Sequence, residues 1–249
     1  MSSKLATRLR EGTQQAHSLA ENAGFIQCFL KGAVEKSSYR QLLGNFYFVY
    51  TALESRMQAW PDHPCLSQLY FPELHRQESL AEDLAYFWGN QWLTEIHPSA
   101  ATQRYVERID EVAIADPILL VAHAYTRYLG DLSGGQILKK IARRGMNLKN
   151  GEGTAFYDFA EIEDTKAFKA TYRQALNELP VNEAAILKIV DEANFAFKLN
   201  MALFQELEGN LVRALGQLLF NQLVHTHRPQ RASWSPKLAD TTTTLQPQD

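Results

Sequence analysis

The chain has 249 residues, enough for one large domain or two small ones, and 45% hydrophobic with 21% charged residues is the balance of a globular protein. A net charge of −3 argues against a general nucleic-acid binder, which carries a basic balance. Cys28 and Cys65 are too few for a disulfide framework and point to a reducing cytoplasm; the lack of a long apolar window and of a signal-peptide centre predicts no membrane anchor.

Leu5, Leu9, Ala16 and Ala20 recur at helical spacing and predict a first helix over residues 3–21. A short second helix over 23–31 stops at Gly32. Ser37 or Ser38 caps a long third helix that runs to Trp60 and closes at Pro61. Residues 62–72 carry prolines and read as a loop with a short helical turn. Helices follow over 75–87, ended near Gly89, and over 100–112. Asp116 then Pro117 reads as an N-cap and a first-turn proline, opening a helix that ends near Gly145. After a loop over 147–154, a helix over 165–179 meets Pro180. From Asn182 onward, Ile186, Ile189, Val190, Ala193, Phe197, Met201, Phe204, Leu211, Leu215 and Leu218 keep a helical period. That gives one very long helix, or two in series broken near Gly209. Residues 228–249 have no period and read as a disordered tail. Strand signals are nearly absent, so the expected fold is one all-α domain over 1–227 followed by that tail.

The stretch Val121-Ala122-His123-Ala124-Tyr125-Thr126-Arg127-Tyr128-Leu129-Gly130-Asp131-Leu132-Ser133-Gly134-Gly135-Gln136 starts as a good helix and then places three glycines in six positions. Each glycine in a helix interior costs about 0.5–1 kcal/mol relative to alanine. Gly130 and Gly134 are four apart and fall on one helical face, which is bare and can accept something flat. The competing reading is an ordinary break, with one helix ending at Gly130 and Asp131 and the next starting at Ser133. Asp131 has a plain reading too, as a cap or as the i,i+4 partner of Arg127.

His17 on the first helix shares a face with Glu21, one turn on. An imidazole that binds a metal through one nitrogen commonly offers its other N–H to such a group. Arg10 lies seven residues earlier on the same face, about 10 Å away at 1.5 Å per residue. The alternative is a partly exposed helix histidine that binds nothing. His63, His75, His97, His123, His225 and His227 lack this context and read as structural or surface groups.

The run from Ala122 to Gln136 resembles the signature of heme oxygenases. Leu9-Arg10-Glu11-Gly12-Thr13 through His17-Ser18-Leu19-Ala20-Glu21-Asn22 resembles that family's proximal helix. Phe71-Pro72-Glu73-Leu74-His75-Arg76, Glu192-Ala193-Asn194 and Leu199-Asn200 also fit, and the resemblance covers residues 4–215. It implies a single-domain helical heme oxygenase fold with heme sandwiched between a proximal helix and a glycine-kinked distal helix. The implied activity is cleavage of heme at the α-meso carbon to biliverdin IXα, carbon monoxide and ferrous iron. Heme b is then both substrate and prosthetic group, O2 the oxidant, and the heme iron the one bound metal.

By the same resemblance His17 is the axial ligand of the iron, with Glu21 beside it. Gly130 and Gly134 bring backbone close to the porphyrin and steer the attack. Asp131 delivers protons through an ordered water to give a ferric hydroperoxide, which hydroxylates the ring that carries it. Tyr50, Arg127 and Gly130 match the same catalytic network, although any helical core can hold Tyr50. Arg10, Lys169, Arg173 and Tyr125 match the propionate contacts. Family members often carry a further basic residue where this chain has Gln14. Phe29, Phe197, Asn200 and Phe204 line the expected pocket.

The resemblance is to the soluble cyanobacterial and plastid type, which implies a cytoplasmic enzyme fed by ferredoxin, with a bilin reductase downstream. Lys139, Lys140, Arg143, Arg144 and Lys149 form a run without an acidic residue that suits an acidic donor. Cations also simply favour a helix C-terminus, which is the alternative. The competing functions are a heme-binding sensor or carrier that never turns heme over, and a helical scaffold that binds none.

Overall fold

The computed structural model describes residues 4–32, 34–149 and 151–226, with side chains described through residue 209 and at Val212. Ten α-helices are found among the described residues: α1 Leu5–Gly12, α2 Gln14–Glu21, α3 Gly24–Leu30, α4 Lys36–Gln58, α5 Gln77–Trp88, α6 Trp92–Glu95, α7 Ala100–Ala115, α8 Leu120–Gly145, α9 Thr165–Glu178 and α10 Glu183–Thr226. Short 3-10 turns occur at Ser67–Leu69, Pro72–Leu74, Pro117–Leu119 and Ala155–Tyr157. No described residue is in a strand, so the all-α expectation holds. No helix among the described residues is long and apolar enough to cross a membrane.

The chain divides into two compact units, Met1–Arg213 and Ala214–Asp249. In the second, residues 214–226 are described and all are helical. The predicted tail over 228–249 lies outside the described residues, as do the side chains of Leu211, Leu215 and Leu218. α10 passes Gly209 without interruption, which decides between the two readings of this segment.

The predicted first helix is divided at Thr13. Thr13 Oγ1 donates to Leu9 O at 2.7 Å, the back-bonding that bends helices. One residue earlier, Gly12 O accepts from Asn194 Nδ2 of α10 at 3.0 Å. A Cβ at Gly12 would stand 2.5 Å from Val190 Cγ1, so only glycine lets α1 and α10 approach this closely. The cap of α4 is also corrected. Glu35, not Ser37 or Ser38, accepts from the N–H groups of Ser37 and Ser38, and both serine hydroxyls donate to it. Burial works to raise the Glu35 carboxyl, but these four bonds outweigh it and lower its pKa. Asp116 makes no cap bond either; it pairs with Lys188 at 3.0 Å, and Pro117 opens a 3-10 turn ahead of α8.

In the first unit α4 packs against α5, α7 and α8. Its inner face buries Tyr39, Leu43, Tyr50 and Leu53 completely. Each such aliphatic or aromatic side chain contributes about 1.5–3 kcal/mol of transfer free energy. Three helix or turn starts take carboxylates from elsewhere in the chain, α7 in addition to its own Ser99 cap. Glu54 of α4 accepts from Arg76 N at 2.6 Å and Gln77 N at 3.2 Å at the start of α5. Glu206 of α10 accepts from Ala101 N at 2.9 Å at the start of α7. Asp83 of α5 accepts from Ala155 N at 2.7 Å and Phe156 N at 2.8 Å, closing the Ala155–Tyr157 turn. Burial raises both Glu54 and Asp83 to about 7, although the backbone N–H bonds pull the other way.

Candidate active site

A cavity of about 800 Å³ is lined by residues of α1, α2 and α8, with α3, α4, α9 and α10 also contributing. None of the α2 residues is buried. Gln14, His17, Ala20 and Glu21 of α2 line the cavity. An amphipathic helix whose inner face meets empty volume is shaped to cover a ligand.

The helix α8 continues unbroken through all three glycines, so the ordinary-break reading is excluded. Gly130 and Gly134 both line the cavity, and a Cβ at either would meet nothing within 4 Å. These glycines are therefore not needed for helix packing; what they leave open is the cavity. Gly135 differs, since a Cβ there would touch Tyr157 at 3.4 Å.

His17 stands edge-on to Phe197, with ring centroids 5.7 Å apart. Its Nδ1 lies 3.6 Å from Glu21 Oε2, too far for a direct hydrogen bond but close enough for electrostatic influence. The side chain is 53% exposed, so the imidazole is accessible from the cavity.

Asp131 also lines the cavity and is held from behind. Tyr50, completely buried and outside the cavity wall, donates its hydroxyl proton to Asp131 Oδ2. Arg127 donates to Tyr50 Oη at 3.0 Å, to Asp131 Oδ1 at 3.3 Å and to Asn200 Oδ1 at 2.7 Å. Asn200 in turn donates to Tyr105 Oη at 3.3 Å and to Ala196 O at 3.0 Å. The Arg127 guanidinium also lies 4.2 Å from the Phe46 ring centroid, a cation–π contact. Burial pushes the Asp131 carboxyl up from the usual carboxylate range, against the pull of Arg127 and Tyr50. Burial likewise drives Tyr50 well above the usual phenol range, so it stays a proton donor.

Basic groups collect at another part of the cavity. Arg10 and Arg173 line it with Tyr125, Gln14 and Asn177. The Arg10 side chain is 77% exposed and lies 3.8 Å from the Glu11 carboxylate. Burial raises the Tyr125 hydroxyl, while a bond to Thr13 and the charges of Arg173 and Arg10 lower it. Lys169 does not itself line the cavity but donates at 3.4 Å to Oγ of Ser133, which does. The reason is geometric, because its position on α9 faces the α8 turn that carries Ser133. Phe29, Phe197, Asn200 and Phe204 all line the cavity.

A heme oxygenase family profile matches residues 3–206 of this chain. The chain belongs to the heme oxygenase family. It is 59% identical to heme oxygenase 1 of Synechocystis sp. over 96% of this chain and 98% of the relative. It is 53% identical to heme oxygenase of the red alga Rhodella violacea over 87% of this chain and 92% of the relative. The crystal structure of the Synechocystis heme oxygenase-1 in complex with heme superposes with a TM-score of 0.85 at 60% identity, covering 88% of this chain and 99% of that one. The Synechocystis heme oxygenase-2 solved with heme and NO gives 0.84 at 47% identity, covering 91% and 94%.

The residues present fit a heme. His17 on α2 and the bare faces of Gly130 and Gly134 on α8 line one cavity, together with the Arg10 and Arg173 guanidinium groups, a set that suits an iron macrocycle with two carboxylates. Sequence reasoning named Tyr50 and Arg127 with Asp131, which the structure brings together, but not the residues packed around them. Tyr105, Phe156 and Tyr157 carry no local signal, because no spacing in the chain relates α7, the Ala155–Tyr157 turn and α8. Asn200 stood out only as a lining residue, not as the acceptor that holds Arg127.

Proposed function

We propose that this chain binds heme b between α2 and α8 and cleaves it oxidatively to biliverdin IXα, carbon monoxide and ferrous iron. The observation that carries this reading is that Asp131, the open faces of Gly130 and Gly134, and His17 line one cavity. When bound, heme supplies the iron that activates O2 and the ring that is oxidised.

The chain's own groups have distinct tasks in this reading. His17 holds the iron, and Glu21 biases its imidazole electrostatically. Arg10, Arg173 and Tyr125 hold the propionates, with Lys169 reinforcing Ser133 on the opposing helix. Gly130 and Gly134 admit the macrocycle plane against backbone and shield part of its edge, which directs cleavage to the α-meso carbon. Asp131 holds a proton at its carboxyl more readily than an exposed aspartate and passes protons to the oxygen site through solvent. Tyr50 and Arg127 fix the orientation of that carboxyl, and Phe29, Phe46 and Phe204 keep bulk water from the inner end.

Reduced ferredoxin is the proposed electron donor, and a bilin reductase is the class of enzyme that takes the product. Lys140, Arg143, Arg144 and Lys149 are exposed, whereas Lys139 is committed to Asp158. Ile137, which lines the cavity and is 58% exposed, lies one turn from Lys140 and two from Arg144. This continuity between the cavity edge and a cationic surface supports docking of an acidic, iron–sulfur donor there.

The test adds hemin, air and a reductant to the protein. Loss of the Soret band with appearance of a bilin is the expected result. A Soret band that persists while the iron is reduced would favour a heme sensor or carrier, and absence of hemin binding would favour a scaffold. Reversing Lys140, Arg143 and Arg144 to glutamate is expected to slow ferredoxin-supported turnover but not ascorbate-supported turnover. Equal ferredoxin-supported rates would remove the docking surface.

A further inference from the structure

The half of α8 that follows Gly130 is weakly anchored compared with the half before it. From Leu120 to Tyr128 eight of its side chains are buried, but between Gly130 and Ile141 only Leu132 and Gly135 are. The later half is tied instead to the Ala155–Tyr157 turn and its neighbour Asp158. Tyr157 packs on the open side of Gly135, Gln136 Nε2 donates to Tyr157 O at 2.9 Å, and Lys139 pairs with Asp158. At its start Asp131 is bonded to Tyr50 and Arg127; beyond it, the described polar ties to other elements add the long contact from Lys169 to Ser133 at 3.4 Å. Phe156 and Tyr157 of the same turn form part of the cavity wall.

The turn is itself held from α5. Asp83 is completely buried and places one carboxylate oxygen on each of two successive N–H groups, Ala155 and Phe156. Arg76 grips the turn's carbonyls, donating to Phe156 O at 3.4 Å and Asp158 O at 2.5 Å. Tyr39 Oη donates to Gly153 O at 3.1 Å. An asparagine at position 83 accepts only one of the two N–H groups, and its own amide protons would face the other. A buried carboxylate without a cation partner is costly, so its retention needs a geometric reason.

We propose that Asp83 is a positioning residue for ring cleavage: by fixing the Ala155–Tyr157 turn it sets where the later half of α8 lies over the cavity, and therefore which edge of the bound macrocycle is attacked. The proposal rests on the heme-cleaving reading above. Asp83 touches neither cavity nor substrate and acts through Phe156, Tyr157 and Gln136.

The experiment compares the full chain with Asp83→Asn, Gln136→Leu and the double variant. Gln136→Leu cuts the far end of the link and leaves Asp83 in place. Two readouts are taken: biliverdin isomers from hemin turnover with ascorbate, and amide hydrogen exchange across residues 132–141. Each single variant is expected to release additional biliverdin isomers while hemin affinity stays within about threefold, because the iron ligand and propionate contacts are untouched. Exchange over 132–141 is expected to rise about tenfold, the effect of losing one hydrogen bond worth about 1 kcal/mol. The double variant is expected to match the more affected single variant, since both cuts break one link. Wild-type isomer ratios and wild-type exchange in folded Gln136→Leu would overturn the proposal, and so would full additivity. If Asp83→Asn does not fold, Gln136→Leu decides by itself. If the wild-type chain makes no bilin, the functional reading fails and hydrogen exchange still tests the link.

Discussion

Two carboxylate–arginine clusters meet on one face of α8, a single turn apart, and behave oppositely. In the first, Asp131 faces the cavity with Arg127 and Tyr50 behind it, and burial raises its carboxyl. In the second, Glu192 of α10 accepts from Arg108 at 3.0 and 2.6 Å and bonds His123 Nε2 at 3.0 Å. Burial works to raise Glu192 too, but these bonds and charges hold it down at about 2. The clusters are joined by Tyr105, whose ring lies 5.6 Å from that of His123 and whose hydroxyl accepts from Asn200. The difference lies in how completely the anion is satisfied. Arg108 meets Glu192 with two donors, whereas Arg127 spreads its donors over Tyr50, Asn200 and Asp131 and reaches the carboxylate only at 3.3 Å. A fully satisfied carboxylate stabilises a fold and holds no proton. A partly satisfied one beside a cavity is suited to carry one.

The largest effect that tests this contrast is on chemistry. Asp131→Ala is expected to lower bilin formation on the order of 10²–10⁴-fold with hemin affinity retained, the range for losing a general acid–base group. Single-turnover absorbance of the hemin complex measures it, and bilin formation at the wild-type rate would remove Asp131 from proton delivery. The next effect is on stability. Glu192→Gln leaves Arg108 and His123 without their anion and is expected to cost about 3 kcal/mol of unfolding free energy. Urea unfolding gives that value, while turnover per folded molecule should change little. A Glu192→Gln protein that keeps its stability but loses turnover would invert the assignment of the two clusters.

The smallest effect is a pH dependence with opposite signs. Glu192 has a folded pKa of about 2 against an ordinary 4.5, so its contribution is complete above 4.5 and is lost as pH falls toward 2. Glu54 and Asp83 are raised to about 7 from 4.5 and 3.8. Between those values the folded chain binds more protons than the unfolded chain, so their effect lowers stability as pH rises toward 7 and flattens above it. Urea midpoints from pH 5 to 8 should therefore decline less steeply in Glu54→Gln than in the parent. An identical decline would assign the slope to other groups.

Much of the site was legible because its parts lie on single helices. His17 and Glu21, Gly130 and Gly134, and Arg127 and Asp131 are each four residues apart, and helical phase alone puts each pair on one face. The placement of Lys169 was not legible, since its target is set by how α9 crosses α8. Nor was the cap of α4, where a glutamate outcompeted two serines better suited by propensity, because both hydroxyls donate to it. The division of the first helix at Thr13 was hidden for a similar reason: Asn194, far away in sequence, takes the Gly12 carbonyl.

The sequence by itself determined that this protein is helical, where most helices begin and end, and which side chains share a face with the three glycines, since these follow from periodicity within one segment. The tertiary structure decided that those glycines face open volume rather than a neighbouring helix. It also decided that Tyr50, Arg127 and Asn200 converge behind Asp131 while Glu192 is tied to Arg108 and His123. These outcomes depend on contacts between segments as many as 84 residues apart, where burial and the number of available donors, not local propensity, set the charge that each carboxylate carries.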